Sequence, residues 1–238
     1  MGGNNLSVPL DHAKKTGVLS LQNKKLDKFP EDILELRRNL RTLDVSNNRI
    51  EELPDDIGCM QMIRTFKLEE NKLGELPKTI GNLGKLEALH LSGNPLMEWP
   101  TPIHRCGNLK HLDLSRCRIS EIPDSISSLK KLDYICLSNN RLHTIPDGMC
   151  ELKLVEIDLN SNDIAVIPVG LAKNQVLRVL RLDHNSITCA GIPTEILSNS
   201  MISTLSLEAN PIDLRKFREM NGYDKYQERF TATKRKCD

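Results

Sequence analysis

The stretch LRTLDVSNNRIEELP (residues 40–54) returns with few changes at 63–77 (IRTFKLEENKLGELP), 86–100 (LEALHLSGNPLMEWP), 109–123 (LKHLDLSRCRISEIP), 132–146 (LDYICLSNNRLHTIP) and 154–168 (LVEIDLNSNDIAVIP). Each copy reads L-x-x-L-x-L-x-x-N/C-x-L, followed by an apolar residue and a proline. Weaker copies begin at Thr16, Leu177 and Ile202. The nine starts are 16, 40, 63, 86, 109, 132, 154, 177 and 202, so the steps are 24, 23, 23, 23, 23, 22, 23 and 25 residues. A period this regular marks a repeat architecture, in which each unit is one supersecondary element that cannot bury its apolar face alone.

The chemistry within one period dictates its local structure. The alternation x-L-x-L-x predicts a short strand with its leucines inward. Because every repeat winds the same way, the strands stack in parallel. The asparagine that follows turns the chain, and its amide can satisfy backbone groups along that turn. The column Asn48, Asn71, Asn94, Asn140, Asn162, Asn185 and Asn210 therefore reads as a ladder, with Cys117 on one rung. The proline fixes an extended segment. Beyond it Ile33, Ile57, Ile80, Ile103, Ile126, Met149, Leu171 and Ile196 are expected to close the core, on short helical or 3₁₀ turns, since about 8 residues leave no room for a long helix. The 25-residue step holds an insertion, TCAGIP (188–193), expected to bulge one loop and leave the register intact.

The signature is that of leucine-rich repeats. The fold expected is α/β, a leucine-rich-repeat solenoid curved as a horseshoe, with a parallel β-sheet on the concave face and short helices or 3₁₀ turns on the convex face. Four segments follow: an N-terminal tether and cap (1–15), nine repeats (16–212), a C-terminal helical cap (213–230) and a basic tail (231–238). Leu6, Val8, Leu10 and Ala13 are expected to cover the first repeat. At the other end Asp213 suits a helix N-cap. Leu214 and Phe217, then Tyr223, Tyr226 and Phe230, recur here at helical spacing on either side of Gly222 and are expected to form the cover; four of the chain's eight aromatic residues (one Trp, three Tyr, four Phe) are among them. Cys106 reads as a small core residue, and Trp99 fills a spine position usually held by leucine.

Composition narrows the function. With 33 basic and 32 acidic residues the net charge is +1, which offers no electrostatic footprint for nucleic acid. No apolar run reaches 18 residues, and the first 20 residues lack a signal-peptide core. The seven cysteines are scattered and contain no CxxC pair, so a reduced, intracellular chain is expected. The period, its LP pairs and its Ile positions resemble the intracellular, Ras-suppressor and scaffold group of leucine-rich repeats. That resemblance implies a curved solenoid without catalytic activity, and an N-terminal glycine open to myristoylation. Gly2 is the candidate lipidation site. Leu6 stands where the usual pattern asks for Ser or Thr.

In such a solenoid the residues between the strand leucines form the concave face. His90, His111, Asp113, Tyr134, Cys136, Glu156, Asp158 and Arg181 are the expected partner-binding residues, with Tyr and Arg the types that anchor interfaces. A catalytic reading of Cys136 fails on spacing, because His90 and Cys136 fall about 9–10 Å apart in one column. His111, a diagonal neighbour about 7 Å away at Cβ, leaves that contact open. Asp113 and Asp158 would raise the thiol's pKa, the opposite of activation. His90, His111, Asp113 and Cys136 carry ligand chemistry, but nothing in their spacing demands a metal. No catalytic residue, metal or cofactor is therefore expected. The functional expectation is a monomeric, non-enzymatic adaptor or scaffold, with a protein partner, no nucleic acid, and reversible membrane contact through a lipid anchor. The alternative is a regulatory subunit for a phosphatase or small-GTPase enzyme.

Overall fold

Each quoted stretch opens into a strand of three residues centred on the second leucine of its pattern. The computed structural model describes residues 7–234 and forms two compact units, Met1–Arg118 and Ile119–Asp238. The first begins with helix α1 (Ser7–Thr16), followed by strands β1 (Val18–Ser20), β2 (Thr42–Asp44), β3 (Thr65–Lys67), β4 (Ala88–His90) and β5 (His111–Asp113). All four pairings are parallel and in register, so that Thr42, Thr65, Ala88 and His111 sit opposite one another, as do Asp44, Lys67, His90 and Asp113. The middle residues Leu43, Phe66, Leu89 and Leu112 are wholly buried. A repeat's leucines thus lie against those of the next, at about 1.5–3 kcal/mol for each side chain fully buried.

The second unit repeats the plan with β6 (Tyr134–Cys136), β7 (Glu156–Asp158), β8 (Val179–Arg181) and β9 (Thr204–Ser206), again parallel. Its helices are α2 (Asp147–Cys150), α3 (Thr194–Ser198), α4 (Leu214–Glu219) and α5 (Tyr223–Lys234). In both units 3₁₀ turns return the chain, at Lys78–Asn82 or Asp124–Ser128 for example. Pro54, Pro77, Pro123, Pro146 and Pro168 hold φ between −64° and −75° with extended ψ, and each leads directly into such a turn or short helix. Ile33, Ile57, Ile80, Ile103, Ile126, Met149, Leu171 and Ile196 are all fully buried there, and so is Cys106. The TCAGIP insertion forms a 3₁₀ turn at Cys189–Gly191 ahead of α3, and β8 still pairs with β9 in register.

The asparagine column makes the expected ladder. In the first unit Asn94 Nδ2 donates to the carbonyls of Leu68 (2.9 Å) and Leu91 (2.8 Å), while its Oδ1 accepts from the Leu73 amide at 3.0 Å. Asn162 does the same in the second unit, toward Leu137, Leu159 and Leu142. Each rung links its own repeat to the one before. Cys117 can only imitate this, its thiol reaching the Leu91 carbonyl at 3.7 Å and that of Ser115 at 3.5 Å.

The ends differ from expectation in detail. Ala13 of α1 is fully buried, but Val8 of the same helix is 74% exposed and takes no part in the cover. Leu6 lies outside the described residues. Asp213 caps α4 as expected, accepting from the Arg215 and Lys216 amides. Leu214, however, is 64% exposed, and the cover is made by α5. Tyr226 is buried, and its hydroxyl donates to the Leu205 carbonyl (3.2 Å) and accepts from the Leu205 amide (3.1 Å). Arg229 donates to the carbonyls of Ile202 (2.9 Å) and Leu197 (2.7 Å). The Leu205 amide and carbonyl on the outer edge of β9 are thereby paired with the Tyr226 hydroxyl.

Candidate interaction face

The strand residues that alternate with the leucines carry the polar chemistry. In the first unit His90 ends β4, and His111 and Asp113 flank Leu112 on β5, so Asp113 is the register partner of His90. His111 is exposed, whereas His90 and Asp113 are half-buried. Glu69, just beyond β3, brings Oε1 to 3.7 Å from His90 Nδ1. Burial lowers the His90 pKa below its ordinary value; Glu69 and Asp113 oppose that shift, and Lys67 and His111 add to it. The Asp113 carboxylate is oriented by its neighbour, Oδ1 accepting from the Ser115 amide at 2.9 Å.

In the second unit Tyr134, Glu156 and Val179 lie side by side across β6, β7 and β8, and Cys136, Asp158 and Arg181 form the adjacent row. Arg181 crosses between rows, its Nη1 paired with Glu156 Oε1. Asp158 Oδ1 accepts from the Asn160 amide at 3.0 Å. Tyr134, Glu156, Asp158 and Arg181 are half-buried. Cys136 is only 6% exposed, with Sγ 3.3 Å from Ser138 Oγ, so it lies beneath this surface. Gly2 falls outside the described residues.

Among the described residues Cys59, Cys106, Cys117, Cys136, Cys150 and Cys189 are free thiols. Burial pushes Cys106, Cys117 and Cys150 up to about 11, which keeps all three protonated and unreactive at neutral pH. No helix among the described residues is long and apolar enough to cross a membrane.

A family described as "Leucine rich repeat" matches residues 38–96 and 107–164. These are leucine-rich repeats. The plant intracellular Ras-group-related LRR protein 7 of Oryza sativa subsp. japonica is 34% identical over 47 residues, which is 20% of this chain and 18% of that protein's length. Among solved structures, internalin C2 of Listeria monocytogenes is similar with a TM-score of 0.70 at 24% identity, over 80% of both chains, a likeness of fold alone. The LRR ectodomain of the Arabidopsis thaliana receptor kinase GASSHO1/SCHENGEN3, solved in complex with Casparian strip integrity factor 2, is 28% identical with a TM-score of 0.61. That match covers 78% of this chain and 26% of the ectodomain.

Trp99, the one spine residue that is not aliphatic or Phe, is anchored by a polar contact that sequence reading missed. It is 7% exposed, and its indole Nε1 donates to His104 Nε2 at 2.8 Å. Burial holds the His104 pKa below its ordinary value of 6.5. Protonation of Nε2 removes the acceptor. Because the folded value is the lower one, the unfolded chain binds more protons between the two, and stability falls with pH from the ordinary histidine range down through the folded value. The emission of Trp99, the chain's single tryptophan, is therefore expected to titrate in one step below pH 6.5. His104→Leu should abolish the step; a step that survives places its origin at another group.

Proposed function

We propose that this chain is a non-enzymatic protein-interaction module, an adaptor or scaffold, that takes a protein partner on its strand face. The observation that carries this reading is the pair of adjacent rows that hold Tyr134 and Glu156, and Asp158 and Arg181. It presents an aromatic ring, an oriented carboxylate and an arginine–carboxylate pair on three rigid parallel strands. Interfaces draw much of their energy from a few Tyr and Arg anchors held in fixed geometry. His90, His111 and Asp113 supply a second polar set on the first unit. The thiol in these rows, Cys136, is buried beneath the face, and the reading gives the face no catalytic part.

The sequence motifs extend the reading. The tail GYDKYQERFTATKRK, the start MG and the stretch KTGVLSL closely resemble leucine-rich repeat-containing protein 57. With that resemblance goes a cytoplasmic chain myristoylated on Gly2. A single myristoyl group supports only reversible membrane binding, on the order of 10⁴ M⁻¹. The name of the rice relative, Ras-group-related, favours one second reading, a regulatory subunit that holds a small-GTPase signalling enzyme, and the same reading extends to a phosphatase.

Affinity capture from cells tests these together, comparing the wild type with the Tyr134→Ala/Arg181→Ala double variant. At least one protein captured by the wild type should be lost from the variant. If the captured set is unchanged, the strand-face reading fails. Enzyme activity in the captured complex would favour the regulatory subunit over the adaptor. The mass of the N-terminal peptide from the same sample decides lipidation, since an unmodified Gly2 ends that part of the reading.

A further inference from the structure

We infer that Glu69, His90 and Asp113 form a site for one divalent transition-metal ion, with Zn²⁺ the best-suited cation. The three residues come from successive repeats of the first unit: Glu69 just past β3, His90 at the end of β4 and Asp113 at the end of β5. One ligand atom from each lies within 4.8 Å of the others. A tetrahedral zinc centre with bonds of about 2.0–2.2 Å holds its ligand atoms about 3.3 Å apart. Glu69 Oε1 and His90 Nδ1 are already at 3.7 Å, and no pair of ligand atoms has to close from more than 4.8 Å.

Charge and orientation agree with this. Two carboxylates and a neutral imidazole present a charge of −2 to a dication. Nitrogen and oxygen donors of this mix suit Zn²⁺, whereas Mg²⁺ and Ca²⁺ prefer oxygen alone. The Ser115 amide holds one Asp113 oxygen in place and leaves the other available, as outer-sphere partners of metal ligands commonly do. Lys67 and His111 are the positive or titratable groups facing His90, and Lys67 disfavours a cation electrostatically. His90 and Asp113 stand on strands fixed by the sheet ladder, and Glu69 two residues past the end of β3, so little backbone entropy is lost on binding. Three protein donors leave a fourth position for water, or for a carboxylate or imidazole of a docked protein. The metal proposal does not depend on the partner reading above.

Calorimetric titration of the reduced full chain with Zn²⁺ alone tests the site, with Glu69→Gln, His90→Gln and Asp113→Asn as variants and the exposed-thiol variant Cys59→Ser as control. One equivalent should bind to the wild type and the control. Loss of any one ligand should weaken that equivalent about 100-fold, at least the effect of losing an outer-sphere partner. Melting curves without metal establish that the variants fold. A Co²⁺ spectrum of the wild type gives a readout free of substitutions. Weak d–d bands without thiolate charge transfer are expected. Charge-transfer absorption would assign the ion to cysteine and overturn the proposal, as would equal zinc affinity in wild type and ligand variants, or no binding at all.

Discussion

Replacing Asn94 by alanine is expected to destabilise the chain by about 2–4 kcal/mol, more than the same change at Asn162. Both asparagines are buried and both accept from a backbone amide, so each replacement orphans one donor: Leu73 in the first case, Leu142 in the second. The carbonyls decide the difference. At Asn162 the neighbouring rungs remain, because Asn140 still donates to Leu137 at 2.9 Å and Asn185 still donates to Leu159 at 3.0 Å. At Asn94 the Leu68 carbonyl keeps Asn71, at 3.1 Å, but the next rung is Cys117. The Leu91 carbonyl is left with that thiol alone, 3.7 Å away and a weak donor. Cys117→Asn should accordingly stabilise the parent chain and restore part of the loss when combined with Asn94→Ala. Denaturant midpoints of the four chains of this double-mutant cycle measure it. Additive effects would mean that the ladder's rungs do not share carbonyls in solution.

The ladder also shows where sequence reading reaches its limit. The strands, the buried turn residues and the asparagine column follow from periodicity, because each depends on a residue type repeated at a fixed place. The residue before each rung does not repeat in type. Asn47, Glu70, Arg116, Asn139, Ser161, His184 and Ala209 all adopt φ between 50° and 57°, and beside Gly93 only the two asparagines are types that conformation favours. The rung's hydrogen bonds hold the left-handed turn, so chemically unlike residues accept it and the pattern is invisible in the letters. The interaction face divides the same way. Which residues share a row follows from register, but the diagonal pairs Arg181 with Glu156 and His90 with Glu69 depend on side-chain rotamers. Glu69 stands in the column beside His90, and its length lets it cross rows. Val8 and Leu214 failed as cap residues for a related reason. A helix at the end of the array is anchored by whichever side chains meet the last polar edge, here Tyr226 and Arg229, and not by every apolar residue it contains.

Gly148→Ala is expected to cost about 3 kcal/mol or more, an unusually large effect for adding one methyl group. Gly148 lies in α2, stacked on the 3₁₀ turn at Asp124–Ser128, and its amide donates to Asp124 Oδ1 at 3.0 Å. A Cβ at this position would stand 2.1 Å from the Asp124 carbonyl oxygen and 2.8 Å from its carbonyl carbon and Cα. All three are backbone atoms, so no rotamer change relieves the clash; the two turns must separate, which also breaks the amide–carboxylate bond. Gly170 provides the comparison. There a Cβ meets Cys150 Cβ and Sγ at 2.9 Å, and part of that contact belongs to a side chain that can turn away, so Gly170→Ala should cost less. At Gly107 no atom lies within 4 Å, and alanine there is expected to be neutral or to stabilise by up to about 1 kcal/mol through the unfolded chain. Melting temperatures should fall in the order Gly107→Ala, Gly170→Ala, Gly148→Ala. Because α2 lies between β6 and β7, separating the turns also strains the strands that carry Tyr134 and Glu156. Gly148→Ala should therefore weaken partner capture at temperatures where the chain remains folded, although Gly148 itself lies in the turn and not in the strand row. A Gly148→Ala chain as stable as the wild type would show that these turns are not packed backbone to backbone.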